Sequence, residues 1–594
     1  MSDPQSQWAR WLLESLVEAG VRDAVISPGS RSTPLTWAAS HTAGLRCHAL
    51  IDERSAGFYA LGQARISGVP TLLICTSGTA LSNYFPAVIE ARESGLPLIV
   101  LSADRPFELQ HCGAHQTIDQ TRLFGAYAPY HELGTPVPDR EALLGLRRTA
   151  WQAVSTSLEP PRGAVHLNFR AKKPLEPDPS AAPLELPARS ARPAWPRSRT
   201  LAPSDTELAA LLAALSESRC PLLICGAAHA HDSPSAELVA RFADLAGCVV
   251  CPEAVSQLRF QLGDRAGSGV VCDSYEWLLG SASLGGALQP DFALQLGGTP
   301  VSTALERLIS NPARPLRYFI CAESGWPDPL HKAADVVRAR ATDLLAAACD
   351  ALLRRARAPR PGLDLWRDAQ SRARAVVGRH VREQFGEAAA AAMVCERAPE
   401  GSVLAIGNSL PPRLVDRYAP VSARGVHICC QRGASGIEGA IAGALGAATQ
   451  TSEAVTLLLG DISFLHDVGS LWAAEATRVQ VAAQARAIVI VVLNNAGGRI
   501  FEQLPIADRP GVALGLWTTP HALRLRAAAE LYGVAYAEAR EHAELDWALT
   551  AAYGRGGVTL VEVLVEPDGA ARSQRAVSAE LEPAFVELAG RARA

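Results

Sequence analysis

Val455-Thr456-Leu457-Leu458-Leu459-Gly460-Asp461 and Ile488-Val489-Ile490-Val491-Val492-Leu493-Asn494-Asn495-Ala496-Gly497-Gly498 carry the reading of this chain. Each is an apolar run of strand length that stops at Gly, Asp or Asn. Neither run alternates with polar residues, so both read as strands covered on both faces, the signature of a parallel sheet. Two neighbouring parallel strands then deliver Asp461 and Asn495 to one carboxyl edge, where α/β sheets bind ligands. A carboxylate, an amide carbonyl and a backbone carbonyl are hard oxygen donors, suited to octahedral magnesium shared with a diphosphate. Asp and Asn also form turns by local hydrogen bonding, and taken alone this stretch leaves that second explanation open.

Similar runs recur along the chain: Ala24–Ile26, Thr71–Cys75, Leu98–Leu101, Leu222–Cys225 and Val403–Ile406, and glycine-bearing turns and helical patterns follow them. Strands alternating with helices predict α/β architecture with doubly wound parallel sheets. Pro174–Pro203, dense in Pro, Ala and Ser, and the Arg/Pro-rich Arg354–Gly362 read as linkers. They divide the chain into domains at 1–180, 190–355 and 362–594. No short internal repeat is visible. Trp8, Trp11, Leu12, Ser15, Leu16 and Ala19 follow helical spacing, which reads as a domain helix rather than a signal peptide. The longest apolar run, Ala487–Leu493, is too short to span a bilayer, so the expectation is a soluble, cytoplasmic protein without membrane insertion.

Composition narrows the chemistry. The 594 residues carry a formal net charge of −4, which gives no electrostatic reason to expect nucleic acid as a partner. Of 56 basic residues only Lys172, Lys173 and Lys332 are lysines, and none follows the glycine that a GxxxxGK[ST] phosphate loop requires. Covalent lysine chemistry would fall to these three, two of which stand beside Pro174. Thirteen cysteines in a chain this long make no disulfide scaffold, and Cys248-Val249-Val250-Cys251 reads as core thiols in a buried strand. His229-Ala230-His231 reads as a surface loop, with a metal pair as the alternative.

In the first domain, Leu50-Ile51 reads as a strand end and Asp52-Glu53-Arg54-Ser55-Ala56-Gly57 as a helix start, where the helix dipole favours a carboxylate. Thr76-Ser77-Gly78-Thr79-Ala80 leads into a helix carrying Asn83 and Pro86. Ser27-Pro28-Gly29-Ser30-Arg31-Ser32-Thr33-Pro34-Leu35 combines helix-start amides, hydroxyls and an arginine, the makings of an anion site. Asp104-Arg105-Pro106, Gly113-Ala114-His115-Gln116, Gly407-Asn408-Ser409-Leu410-Pro411-Pro412-Arg413 and Gln431-Arg432-Gly433-Ala434-Ser435-Gly436-Ile437-Glu438-Gly439 follow in order.

The GD…NN pattern resembles the diphosphate-binding motif of thiamine diphosphate enzymes. Its 31 residues between Ile462 and Asn494 are slightly long, with the surplus in a lengthened helix within Ala473–Gln484. With the ordered motifs above, the chain resembles the 2-succinyl-5-enolpyruvyl-6-hydroxy-3-cyclohexene-1-carboxylate synthase family of menaquinone biosynthesis. The resemblance implies a pyrimidine-binding domain at 1–180, a central α/β domain at 190–355 and a diphosphate-binding domain at 362–594. It implies thiamine diphosphate and Mg2+ (or Mn2+) as cofactors, with 2-oxoglutarate and isochorismate as substrates. In that family the cofactor attacks 2-oxoglutarate, CO2 leaves, and the succinyl-semialdehyde carbanion adds in 1,4 fashion to isochorismate.

By the same resemblance Glu53 is the catalytic residue, hydrogen-bonding N1′ of the aminopyrimidine and favouring its imino tautomer. Asp461, Asn495 and the Gly497 carbonyl ligate the metal. Thr76, Gly78, Asn83, Ser435, Ile437, Gly460, Ile462, Ile500 and Phe501 meet the cofactor. Ser30, Arg31, Arg105, Gln116, Ser409, Arg413 and Arg432 recognise carboxylates and hydroxyls, a task that suits the bidentate guanidinium. The family also implies self-association, with the active site between chains. Four positions depart from its pattern: Gln431 and Glu438 lengthen an Asn and an Asp, His115 replaces an Asn, and Thr303 stands where a basic residue is common. Arg307, one turn on, is the candidate replacement for that last cation. The alternatives are another 2-oxoacid decarboxylase or carboligase of the acetolactate synthase type, and a non-catalytic cofactor-binding homologue.

Overall fold

The computed structural model describes residues 3–137, 139–178, 201–313, 316–356, 359–482 and 486–593. Most of the expected first linker, 179–200, lies outside them.

Among the described residues eighteen strands form three six-stranded sheets in which every pairing is parallel. The first contains β1 (Asp23–Ile26), β2 (Arg46–Ala49), β3 (Thr71–Cys75), β4 (Leu98–Asp104), β5 (Tyr130–Glu132) and β6 (Ala164–Arg170). The second contains β7 (Pro221–Cys225), β8 (Val249–Pro252), β9 (Val270–Val271), β10 (Phe292–Leu296), β11 (Arg317–Cys321) and β12 (Ala333–Val337). The third contains β13 (Val403–Ile406), β14 (His427–Cys430), β15 (Val455–Gly460), β16 (Ala487–Asn494), β17 (Ala535–Ala539) and β18 (Gly557–Leu564). The apolar runs fall on β1, β3, β4, β7, β13, β15 and β16. Every residue of β16 is buried, as an unbroken apolar strand between two helical layers should be.

The strand orders are β2-β1-β3-β4-β6-β5, β12-β11-β10-β7-β8-β9 and β14-β13-β15-β16-β18-β17. The first and third orders are the same path drawn twice. In each, the chain turns back between the first and third strands, β1/β3 and β13/β15, and that reversal opens a crevice at the carboxyl ends.

The chain divides into two compact units. One holds Met1–Arg199 with Gln431–Ser452 and Asp467–Ala485; the other holds Thr200–Cys430, Glu453–His466 and Arg486–Ala594. Within the first, the helix Glu53–Ser67 meets the helix Ala440–Ala448 so closely that a Cβ on Gly62 would lie 2.0 Å from the Gly443 carbonyl oxygen. Within the second, the fully buried Arg259 donates to the carbonyls of Pro252, Val415, Asp416 and Ala419, tying the second sheet to the third.

Two local expectations need correction. β2 ends at Ala49 rather than Ile51, although the Leu50 N–H still donates to the Ile26 carbonyl at 3.0 Å. The helix after Gly78 is two helices, Thr79–Asn83 and Phe85–Ser94, because Pro86 has no N–H to continue the first and suits the opening turn of the second. The N-terminal helix Pro4–Glu18 buries Trp8, Trp11, Leu12, Ser15 and Leu16 as its spacing predicts. Cys248 and Cys251 are fully buried, and burial pushes the Cys248 thiol up to about 12, which leaves it inert at neutral pH. Among the described residues no helix is long and apolar enough to cross a membrane.

Candidate active site at two carboxyl edges

In the third sheet β13, β15 and β16 lie side by side, and a cleft opens at their carboxyl ends. Glu387, Ser409, Gly460, Asp461, Asn495 and Ile500 are among its lining residues. Asp461 is 2% exposed. Its Oδ1 accepts the Ile462 N–H at 2.7 Å, and its Oδ2 accepts the Gly497 N–H at 2.8 Å. His521 Nε2 lies 3.2 Å from the same Oδ2. Burial holds the Asp461 carboxyl above the usual carboxylate range, and the two amides and His521 oppose that rise.

The two asparagines at the end of β16 differ in role. Asn494 donates to Glu562 on β18 at 2.6 Å and accepts the Ala496 N–H, closing the turn. Asn495 donates to Glu387 Oε1 at 2.8 Å, while its buried Oδ1 has no partner. Glycine is required at 497: φ is +147°, and a Cβ there would lie 2.6 Å from the Thr518 carbonyl oxygen. Among the described residues no group of three His, Cys, Asp or Glu side chains forms a metal cluster. A buried carboxylate, an orphaned amide oxygen and a turn carbonyl nonetheless fit a hard divalent cation that takes its remaining ligands from a diphosphate. Ile500 and Phe501 sit in the 3-10 turn Arg499–Gln503, tied back by Arg499 Nε to the Asn495 carbonyl at 3.2 Å. Ser409 adopts φ +76°, strained for a residue with a Cβ, and accepts Arg413 Nη1 on its carbonyl at 2.6 Å.

The first sheet repeats the arrangement at β1, β3 and β4. The turn after β1 presses on the turn after β3: a Cβ on Gly29 would lie 2.3 Å from the Thr76 Cβ, so only glycine fits. Arg31 is 6% exposed. Its N–H donates to Thr76 Oγ1 at 3.3 Å and its Nη1 to the Ala171 carbonyl at 2.8 Å, while its Nε is buried without a partner. Burial lowers the Arg31 pKa and the nearby Arg105 cation lowers it further, against the pull of Asp104. A buried guanidinium with an unused N–H, within electrostatic reach of a second one, is suited to an anion. Arg105 is steadied by the His115 carbonyl, and Gln116 Nε2 donates to the Ser77 carbonyl at 3.0 Å. Ser30 is exposed beside Arg31, and the Gly78 N–H is held by Gln120 Oε1 at 3.0 Å.

Glu53 opens its helix half-buried, but the cap belongs to Asp52, whose carboxylate accepts the Arg54 N–H at 2.9 Å. Burial raises the Cys75 thiol and the Tyr84 phenol, and the Glu53 charge adds to both. Asn83 closes the short helix after Gly78. Arg432, Ser435 and Ile437 lie on the loop after β14, which belongs to this same unit. The buried Glu90 accepts the N–H groups of Gly433 and Ala434 at 3.2 and 2.7 Å. The candidate residues thus fall into two groups, one in each compact unit.

Thr303 is exposed at the first turn of the helix Thr303–Ser310, and Arg307 Nε rests on its carbonyl at 3.1 Å. His229 and His231 stack at 5.6 Å. Glu387, His521, Gln120 and Glu90 escape sequence reasoning, because each lies far along the chain from the motif it supports and belongs to no motif itself.

Residues 7–123 match the family described as thiamine pyrophosphate enzyme, N-terminal TPP binding domain, and residues 413–563 match its C-terminal TPP binding domain. A 2-succinyl-5-enolpyruvyl-6-hydroxy-3-cyclohexene-1-carboxylate synthase of Sorangium cellulosum is 41% identical over 97% of this chain and 95% of its own. The chain belongs to this synthase family. Synthases of the same name from Myxococcus xanthus, 37% identical over 94% of each chain, and Geobacillus kaustophilus, 36% identical over 95% of each, support the assignment. As a member of the synthase family the chain is a thiamine diphosphate enzyme. Asp461, Asn495 and Gly497 fall inside its C-terminal cofactor domain, and Arg31, Glu53, Thr76 and Arg105 inside its N-terminal one.

Proposed function

We propose that this protein takes 2-oxoglutarate, releases CO2, and adds the remaining four-carbon unit in 1,4 fashion to isochorismate, as a synthase of menaquinone biosynthesis. The observation that carries the substrate class is the buried Arg31, with its unused Nε, beside Arg105. Both substrates are dicarboxylates, and paired arginines meet the second carboxylate that a pyruvate enzyme would leave unmatched.

Bound thiamine diphosphate supplies the nucleophilic carbon and the electron sink. Asp461, Asn495 and the Gly497 carbonyl hold Mg2+ or Mn2+ against its diphosphate. Glu53 holds a proton at the aminopyrimidine N1′. Thr76, Gly78, Asn83, Ser435, Ile437, Gly460, Ile462, Ile500 and Phe501 shape its binding surfaces. Ser30, Arg31, Arg105, Gln116, Ser409, Arg413 and Arg432 hold substrate carboxylates and hydroxyls and exclude water from the developing negative charge. Residues 1–180 serve the pyrimidine and 362–594 the diphosphate, with 190–355 as a central domain. The chain acts in the cytoplasm as a self-associated enzyme.

Purified protein with thiamine diphosphate and Mg2+ should release CO2 from 2-oxoglutarate and form adduct only when isochorismate is present. Absence of consumption of both substrates would overturn the proposal, and preference for pyruvate would transfer it to the acetolactate synthase class.

A further inference from the structure

Asn495 can serve a metal only if its amide is turned the right way, and nothing in β16 itself decides that. The asparagine side chain is nearly symmetric in shape, with an NH2 on one arm and a carbonyl on the other. Glu387, on the helix Glu387–Arg397, decides it. This residue is 1% exposed and lines the same cleft. Its Oε1 takes the Asn495 Nδ2 at 2.8 Å, and its Oε2 takes the Ala570 N–H at 3.0 Å, in the first turn of the helix Gly569–Arg593. In its ionised form the carboxylate offers acceptors only, so it selects the NH2 arm and leaves Asn495 Oδ1 buried without a partner.

We propose that Glu387 is a positioning residue for the cation site: it fixes the Asn495 amide so that Oδ1, and not Nδ2, is presented to the metal. The inference rests on the metal reading given under Proposed function. The Ala570 bond makes the device rigid. It anchors the carboxylate from a second helix, so that Glu387 cannot swing to follow a rotated amide. Partners that orient a ligand in this way typically contribute about 10–100-fold to metal affinity. Glu387→Gln is nearly isosteric, but with its one carbonyl kept on the Ala570 N–H it turns an NH2 toward Asn495, so the NH2 arm of the asparagine is no longer selected.

The test is a double-variant cycle read by Mn2+ binding, with free Mn2+ counted by its electron paramagnetic resonance signal in the presence of thiamine diphosphate and without substrate. Glu387→Gln should raise the Mn2+ dissociation constant at least about tenfold in the native background and leave it unchanged in the Asn495→Ala background. The thermal midpoint without metal should shift little. Equal loss in both backgrounds, or a lowered midpoint with unchanged Mn2+ affinity, would overturn the proposal, since either marks a purely structural role. If Glu387→Gln does not fold, Glu387→Asp carries the same cycle, because the shorter side chain loses its reach to Asn495. Failure of the native protein to retain Mn2+ with thiamine diphosphate would remove the metal reading and this inference with it. Failure of the inference alone leaves native binding intact.

Discussion

Glu53 shows how a residue's neighbours sort its possible roles. A carboxylate at a helix start often exists to cap it, but Asp52 already supplies the cap, and Glu53 is left half-buried. Glu53→Gln should therefore lower kcat by roughly 10²–10⁴-fold while thiamine diphosphate still binds, measured by steady-state kinetics and a cofactor titration. Arg31 makes a second case. Arg31→Lys keeps the charge but loses the fork, so KM for 2-oxoglutarate should rise about tenfold or more with a smaller change in kcat. Both residues were legible in the sequence because each sits inside a contiguous motif. Glu387 was not, since the contact that gives it meaning joins it to a strand end far along the chain.

At the scale of elements, the turns carry the chemistry and the strands aim them. The turn after β16 depends on Gly497, so Gly497→Ala should cost about 1–3 kcal/mol in denaturant unfolding and weaken Mn2+ binding in parallel. A pH effect arises between β4 and β6. His166 is 1% exposed, meets Ser102 Oγ at 2.8 Å, and burial pushes its pKa down to about 3. The native state then leaves this ring neutral where the unfolded chain, near 6.5, binds a proton. Its contribution is fully present above the unfolded value and is lost as pH falls from about 6.5 toward 3. At pH 5 the loss is about 2 kcal/mol. Thermal midpoints at pH 7.5 and pH 5 should fall further for the native protein than for His166→Gln. Strand positions were readable from apolar runs, but the break between Asn83 and Phe85 depends on how Pro86 is used, which periodicity does not encode.

For the whole molecule, the identical strand orders of the first and third sheets place two equivalent crevices on two different stretches of chain. No short repeat is visible in the sequence, because topology survives long after side chains diverge. The segments 431–452 and 467–485 join the compact unit of the first sheet, although they stand in the sequence among strands of the third. If the proposed self-association is correct, light scattering after gel filtration should give a multiple of 62.8 kDa that persists on dilution into the working range of the enzyme. A mass of one chain at that concentration would refute it.

Local residue order by itself determined the alternation of strand and helix, the parallel sheets, and the family to which the chain belongs. Those features depend on apolar period and on motifs within a few residues of one another. Only the tertiary structure decided that Asn495 Oδ1 is left open, that Arg31 keeps an unused buried N–H near Arg105, and that Glu387 holds the Asn495 amide from another helix. Those depend on burial and on hydrogen bonds between distant segments. Whether a polar atom is satisfied or left open is set only when the chain has closed around it.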